Sequence, residues 1–314
     1  MITTRFSEPL DRHLAAGLSC LSERFLSGQR HWLSGLQGAD GGFPGRASTS
    51  DLYYTGFAAR CADVLGTDDP RFWNRLHQYL YTLHRPLLDA SDVLSLLVIR
   101  QALDRRNLKA CCPQSEELLT RQVLHVLETF RHPEGGYSKT RSAPASLYQT
   151  FLAALCYQIL EQSFPETQHV AAIVQARRGA NGGFSDLPDQ PEGTNPTAAA
   201  MALLGMVPDV DAGPVSGAVE FLINMLCPEG GFAAGARAPQ PDLMSTFTAM
   251  VTLFSLGVAS DIKLAPVGRF VRDLALPNGG FAGTPGDRVA DVEYTYYGLG
   301  TLALLAAALS RGNR

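Results

Sequence analysis

Two kinds of apolar segment alternate along this chain, and their order predicts pairs of helices. Small-rich runs such as Leu52, Phe57, Ala58, Cys61 and Val64, or Leu147, Phe151, Leu152, Leu155 and Ile159, have helical spacing and apolar residues on most sides, the pattern of a buried helix. Between them lie the segments 72–83, 115–130, 215–226 and 267–276, charged on one flank, which read as amphipathic helices of an outer layer. Val and Ile never alternate with polar residues over a useful length, while Leu and Ala dominate, so strands are not expected.

A short punctuation sets the period. Gly41-Gly42-Phe43, Gly135-Gly136-Tyr137, Gly182-Gly183-Phe184, Gly230-Gly231-Phe232 and Gly279-Gly280-Phe281 are each followed by a Thr that opens an apolar run, at Thr55, Thr150, Thr197, Thr246 and Thr295. The aromatic positions are 94, 47, 48 and 49 residues apart. Since 94 is twice 47, a further unit with an eroded signature is expected around Ser91-Asp92-Val93-Leu94. Six such units nearly fill the 314 residues, the mark of a repeat architecture forming a single domain over 1–314.

The Gly-Gly pair suits the residue past a helix C-terminus, where a left-handed backbone is needed, with the aromatic plugging the seam between neighbours. Each inner helix is then expected to start at the same end, capped by Asp51, Asp92, Asp242 or Asp291, or by Ser146. Helix N-termini aimed at one mouth favour an anion such as a diphosphate.

Composition narrows the partners. At 46% apolar the chain can bury a large core, and a net charge of −4 without a basic stripe argues against nucleic acid and anionic membranes. No stretch is apolar enough to span a bilayer and the first residues carry no signal-peptide run, so a cytoplasmic location is expected. The six cysteines (Cys20, Cys61, Cys111, Cys112, Cys156, Cys227) include no CxxC pair and read as reduced, mostly buried thiols.

The segment Gly-Gly-Phe-Ala-Gly-Thr-Pro-Gly-Asp-Arg-Val-Ala-Asp-Val-Glu-Tyr-Thr at 279–295 resembles the last repeat of the protein prenyltransferase β subunits, above all the Rab geranylgeranyltransferase type, in a class that includes farnesyltransferase. The resemblance covers five repeats. It implies an all-α α/α toroid of six inner and six outer helices around an apolar funnel, shared with squalene cyclases and complement thioester domains. It also implies an isoprenoid (diphosphate) or similar apolar ligand. In that family an Asp-x-Cys and a His bind zinc; this chain reads Asp242-Leu243-Met244 and Tyr294, and its histidines all lie within the first 169 residues. A thioether and a phenol are poor zinc ligands, so zinc-dependent thiol prenylation is not expected.

The family's diphosphate ligands also depart. One Arg falls at Gly235, with Arg237 two residues on; a His falls near Thr194 and Asn195; another Arg falls at Tyr148. Arg46 stands in a GGFxGR setting and, with Lys139 and Arg141, gives a basic set at one rim. Tyr53, Tyr54, Phe57, Tyr148, Phe151, Phe247, Tyr294, Tyr296 and Tyr297 lie at or near inner-helix starts, where they can enclose an isoprenoid and face an allylic cation. The substrate-binding candidates are Arg46, Arg141, Arg237, Tyr54, Tyr148, Phe247, Tyr294 and Tyr297, with Asp242 and Asp291 as acid or base.

Other chemistries are weaker. Gly66-Thr67-Asp68-Asp69 lacks the first Asp of a cyclase Asp-x-Asp-Asp, and no thioester, nucleophile-elbow, P-loop or dinucleotide motif occurs. No cofactor is expected, although the acidic run Asp186-Leu187-Pro188-Asp189-Gln190-Pro191-Glu192 leaves Mg²⁺ open. Three readings stay open: a zinc-independent prenyl-transferring enzyme, a terpene-cyclase-like enzyme, and an inactive binding or scaffold toroid. The family's habit implies a separate helical-repeat α subunit; a homodimer is the alternative.

Overall fold

The structure is a computed structural model that describes residues 7–47, 49–83, 86–108, 116–208, 215–238 and 240–312. Cys111, Cys112, His84 and the start of the 115–130 segment at Ser115 lie outside the described residues. Among the described residues there are thirteen α-helices. Two compact units make up the chain, one of Met1–Ser7, Glu128–Leu274 and Gly283–Asp287, the other of Glu8–Leu127, Ala275–Ala282 and Arg288–Arg314.

In the second of these units α13 (Val292–Gly312), α3 (Leu52–Val64) and α5 (Ala90–Asp104) lie side by side. Against them pack α2 (Glu23–Leu36), on α3, and α4 (Pro70–Tyr81), on α5. α1 (Ser7–Leu18) comes so close to α13 that a Cβ on Gly17 would lie 2.2 Å from the Ala303 carbonyl oxygen. α6 (Glu116–Glu128) follows α5. The other unit repeats the plan, with α7 (Leu147–Ile159), α9 (Thr194–Met206) and α11 (Leu243–Ser255) side by side. There α8 (Thr167–Ala176) packs on α7 and α10 (Val215–Asn224) on α9, and α12 (Leu264–Asp273) completes the set. Its core gathers Leu147, Ala154, Val170, Ile173, Phe184, Met201 and Leu203.

The two patterns read from the sequence sort as expected. α4 starts at the Asp69 cap with Pro70 in its first turn and buries Phe72, Trp73, Leu76, Tyr79 and Leu80, one stripe of an amphipathic helix. α3 instead buries eight of its residues and exposes a single face, which holds Tyr53, Tyr54, Phe57 and Arg60.

The Gly-Gly-aromatic signature does more than end a helix. α10 stops at Asn224, whereas the pair is at Gly230-Gly231, so the glycines sit in a turn beyond the helix rather than at its C-terminal cap. Gly230 has φ +100°, and a Cβ there would come within 2.3 Å of the Pro266 carbonyl group, so only glycine lets the turn rest on α12. The aromatic that follows is fully buried and forms a bridge to the residue that starts the next inner helix: Phe43 to Asp51, Tyr137 to Ser146, Phe184 to Gly193, Phe232 to Asp242, Phe281 to Asp291. Two of these bridges extend into strand pairs, β1 (Phe43–Pro44) with β2 (Ser50–Asp51) and β3 (Phe232–Ala233) with β4 (Pro241–Asp242). Two-residue strands are too short for alternation to announce them.

The repeated Thr is the clamp. Its hydroxyl accepts the aromatic's backbone N–H, at 2.9 Å from Phe43 to Thr55, Tyr137 to Thr150, Phe184 to Thr197 and Phe232 to Thr246, and at 3.1 Å from Phe281 to Thr295. The same hydroxyl donates to the carbonyl four residues back, on the residue that starts the helix, at 2.6–2.7 Å. All five Thr side chains are buried, so each clamp satisfies a backbone donor that water cannot reach. In α5, where no Gly-Gly-aromatic precedes, the equivalent position is the buried Val93. There the cap is Asp89, which accepts from Ser91 and Asp92 N–H. Asp92, expected as the cap, instead accepts the Leu88 N–H at 2.9 Å from inside the first turn.

Candidate functional site

The inner-helix starts bring the chemistry together, and the second residue of each is the one left half-buried. In one unit these are Tyr53 on α3, Ser91 on α5 and Glu293 on α13; in the other, Tyr148 on α7, Asn195 on α9 and Met244 on α11. The preceding residue is buried in every case.

Most of the predicted residues of the α3–α13 unit converge. Asp51 caps α3, accepting from Tyr53 N–H at 2.8 Å, and Asp291 caps α13, accepting from Tyr294 N–H at 2.9 Å. Tyr53 reaches across to donate its hydroxyl to Glu293 Oε1 at 2.8 Å, and Tyr297, one turn along α13, donates to the same oxygen at 3.1 Å. Phe57 fills the space below, edge-on to Tyr53, Tyr296 and Tyr297 with centroids 5.1, 5.8 and 5.5 Å away. Tyr54 stands edge-on to Tyr53 at 5.3 Å and lies over Gly45, where a Cβ would come within 2.1 Å of the ring. Arg46, expected at a basic rim, is an exposed side chain whose Nε lies 3.8 Å from Asp291 Oδ2.

The local field is acidic. Burial pushes the Glu293 carboxyl above its usual range, the Tyr53 and Tyr297 hydroxyls pull it back, and Asp291 adds to the upward shift. Burial also raises the Tyr54 phenol, reinforced by Glu293, Asp291 and Asp51, while Arg46 opposes them. One turn deeper, Arg60 lies over the Tyr296 ring with its guanidinium carbon 4.0 Å from the centroid, pairs with Asp11 at 3.2 Å and hydrogen-bonds the Tyr296 hydroxyl. Sequence reasoning missed Glu293 and the Arg60–Asp11–Tyr296 group. A Glu in a first helical turn looks like ordinary dipole matching, and its partner Tyr53 is distant in the chain.

The remaining candidates lie in the other unit. Asp242 caps α11 through Ser245 N–H and also accepts the Ser245 hydroxyl, both at 2.7 Å; burial raises its carboxyl and these bonds pull it down. Met244 is half-buried beside it, and Thr248 on the next turn donates to Asn195 Oδ1 at 2.7 Å. Tyr148 is half-buried, whereas Phe247 is only 6% exposed and belongs to the packing of α11. Arg141 and Arg237 are exposed loop residues with no carboxylate at ion-pair distance among the described residues.

The acidic run is engaged in structure. Asp186 Oδ1 accepts the Ser146 hydroxyl at 2.8 Å and Tyr148 N–H at 2.9 Å, capping α7 from a neighbouring loop, and Glu192 Oε1 accepts Asn181 N–H at 3.0 Å. Among the described residues no group of three or more His, Cys, Asp or Glu converges as a metal site. Met244 and Tyr294 carry a thioether and a phenol, poor ligands for zinc.

Repeated helix pairs joined by clamped turns define an all-α repeat protein. The model of the prenyltransferase alpha-alpha toroid domain matches residues 67–309, and the chain belongs to that family, so the fold is an α/α toroid. No curated protein sequence matches the chain. Among solved structures, it is similar to Candida albicans protein geranylgeranyltransferase-I complexed with GGPP, with a TM-score of 0.68 and 13% identity over 89% of this chain and 90% of that one. It is similar also to the type II terpene cyclase MstE from Scytonema, with a TM-score of 0.60 and 16% identity over 94% and 99% of the two chains. An α-1,6-mannanase of Salegentibacter sp. HEL1_6 matches with a TM-score of 0.60 and 10% identity over 90% and 98%. At such identities these likenesses show the fold, which serves sugar and isoprenoid chemistry alike. Among the described residues no helix is long and apolar enough to cross a membrane.

Proposed function

We propose that this toroid binds an isoprenoid against the aromatic face of α3 and α13, without zinc-dependent thiol chemistry. The observation that carries the reading is the half-exposed stripe Tyr53, Tyr54 and Phe57, one turn of rings on the open face of an inner helix, with Tyr294 of α13 also half-exposed. Rings left partly in water where a helix is otherwise sealed suit a long, apolar, unsaturated chain by area burial and by their π faces. Two of the structural relatives described above carry isoprenoid chemistry in their own names, geranylgeranyltransferase and terpene cyclase, which supports the reading.

In this proposal Tyr54, Tyr294 and Tyr297 meet the chain. Asp291, at the start of α13, is the acid–base group. A cytoplasmic setting belongs to the same reading and is supported by Cys20, Cys61, Cys156 and Cys227, none of which forms a disulfide. A helical-repeat α subunit or a second copy of the chain is the proposed protein partner.

The test is incubation of the purified chain with farnesyl and geranylgeranyl diphosphates and the corresponding alcohols, with and without Zn²⁺ or Mg²⁺, read by native mass spectrometry. Retention of a prenyl compound at one per chain, lost in a Phe57→Ala variant, is the expected result. No retained ligand under any condition would remove the isoprenoid reading and leave the scaffold, which the Met244 and Tyr294 replacements favour.

A further inference from the structure

Glu293 is the one charged side chain among the six half-buried second residues; its counterparts are Tyr53, Ser91, Tyr148, Asn195 and Met244. Both of its hydrogen bonds, from the Tyr53 and Tyr297 hydroxyls, arrive at Oε1, and Oε2 receives none. No Arg or Lys lies at ion-pair distance from it among the described residues. Withdrawing a carboxylate from water without a cation opposes folding, and an uncharged residue serves at every equivalent position, so the bridge from Tyr53 does not by itself call for the charge. Its neighbours do not supply the missing charge. Asp51 and Asp291 offset the partial positive ends of α3 and α13, and Arg46 lies beside Asp291. Glu293 is thus a negative charge without an opposite, with an open acceptor oxygen, beside the exposed rings.

We propose that Glu293 sets the headgroup class of the ligand: its open oxygen accepts a hydrogen bond from an uncharged hydroxyl, as in a prenyl alcohol or prenyl phenol, and its charge rejects a diphosphate. This rests on the isoprenoid reading above and narrows it. The upward shift of the Tyr54 phenol, to which Glu293, Asp291 and Asp51 contribute, reflects the same negative field. A diphosphate brings two or three like charges to a partly desolvated carboxylate, where screening is weak. A hydroxyl gains a charge-assisted hydrogen bond.

The test is calorimetric titration of the full chain with geranylgeraniol and with geranylgeranyl diphosphate, dispersed in the same detergent near neutral pH. The wild type should bind the alcohol at least about tenfold more tightly. Glu293→Gln should weaken the alcohol and strengthen the diphosphate, narrowing the ratio by about tenfold or more. Glu293→Asp, which keeps the charge but withdraws it from the two tyrosines, should still reject the diphosphate while losing alcohol affinity; it decides the matter should the Gln variant not fold. Tighter diphosphate binding that Glu293→Gln leaves unchanged and Arg46→Ala weakens would overturn the inference while the isoprenoid reading stands. Failure of the wild type to bind either ligand would remove both.

Discussion

Thr197→Val tests the clamp that repeats through the fold. The Thr197 hydroxyl lies 2.9 Å from Phe184 N and 2.7 Å from the Gly193 carbonyl, and the side chain is fully buried. Valine keeps the shape and removes the oxygen. The Gly193 carbonyl still accepts the Thr197 backbone N–H at 3.1 Å, so it is not orphaned. The Phe184 N–H is, because Thr197 is its acceptor and the residue is 0% exposed. An unsatisfied buried backbone donor costs about 1–3 kcal/mol. Thr197→Ser keeps both hydrogen bonds and loses a methyl, about 0.8 kcal/mol. The expected order in urea unfolding midpoints is wild type, then Ser, then Val, with an unchanged denaturant slope. Amide exchange at Phe184 should accelerate in the Val variant and not in the Ser variant. A Val variant as stable as wild type, or milder than Ser, would show that the hydroxyl is not what fastens the turn to the helix.

Three further outcomes follow from single sites. Glu293 and Asp242 have folded-state pKa values raised above the unfolded ones by burial, so ionisation opposes folding. Their stabilising contribution is complete below about pH 4 and declines as pH rises through the raised folded values. Glu293→Gln and Asp242→Asn should flatten that decline, measured as urea midpoints between pH 4 and 7, and an unaltered slope would contradict the burial argument. Gly230→Ala forces a Cβ to within 2.3 Å of the Pro266 carbonyl at φ +100° and should cost at least ~3 kcal/mol, while Gly257→Ala, at φ +75° with open space around it, should cost about 1 kcal/mol. Equal thermal shifts for the two would refute the close-approach account. Asp11→Ala removes the acid paired with Arg60, whose side chain is one-fifth exposed, and should lose about 3 kcal/mol in chemical unfolding, more than the double variant Asp11→Ala/Arg60→Met, which removes both charges.

Much of the scaffold was legible because repetition amplifies weak local signals. Five Gly-Gly-aromatic turns in phase with five Thr located the inner helices, and the caps at Asp51, Ser146 and Asp242 follow from residue type alone. The cap of α5 slipped from Asp89 to Asp92 because the eroded unit offers two acids within one turn and no signature to fix the phase. α9 starts at Thr194 after Gly193, which offers no side-chain cap, and there only the Thr spacing located it. The site was harder to read, since its partners meet across the chain. Tyr53 finds Glu293, Arg60 finds Asp11 and Tyr296, and Asp186 caps α7. No spacing rule reports such contacts, and Arg46, a substrate-binding candidate in the sequence, has its Nε 3.8 Å from Asp291 Oδ2.

The clamp fastens both ends of every loop between aromatic and helix, and the separation from aromatic to Thr rises from 12 in the first repeat to 13 and then 14 in the last two. The lengthening of the repeats includes these loops, while the anchors on either side keep the same hydrogen bonds. A segment pinned at both feet can gain or lose residues over the helix starts without changing how the helices pack. These loops are therefore the place to graft new specificity onto this chain, residue by residue, with the ring of helices left untouched.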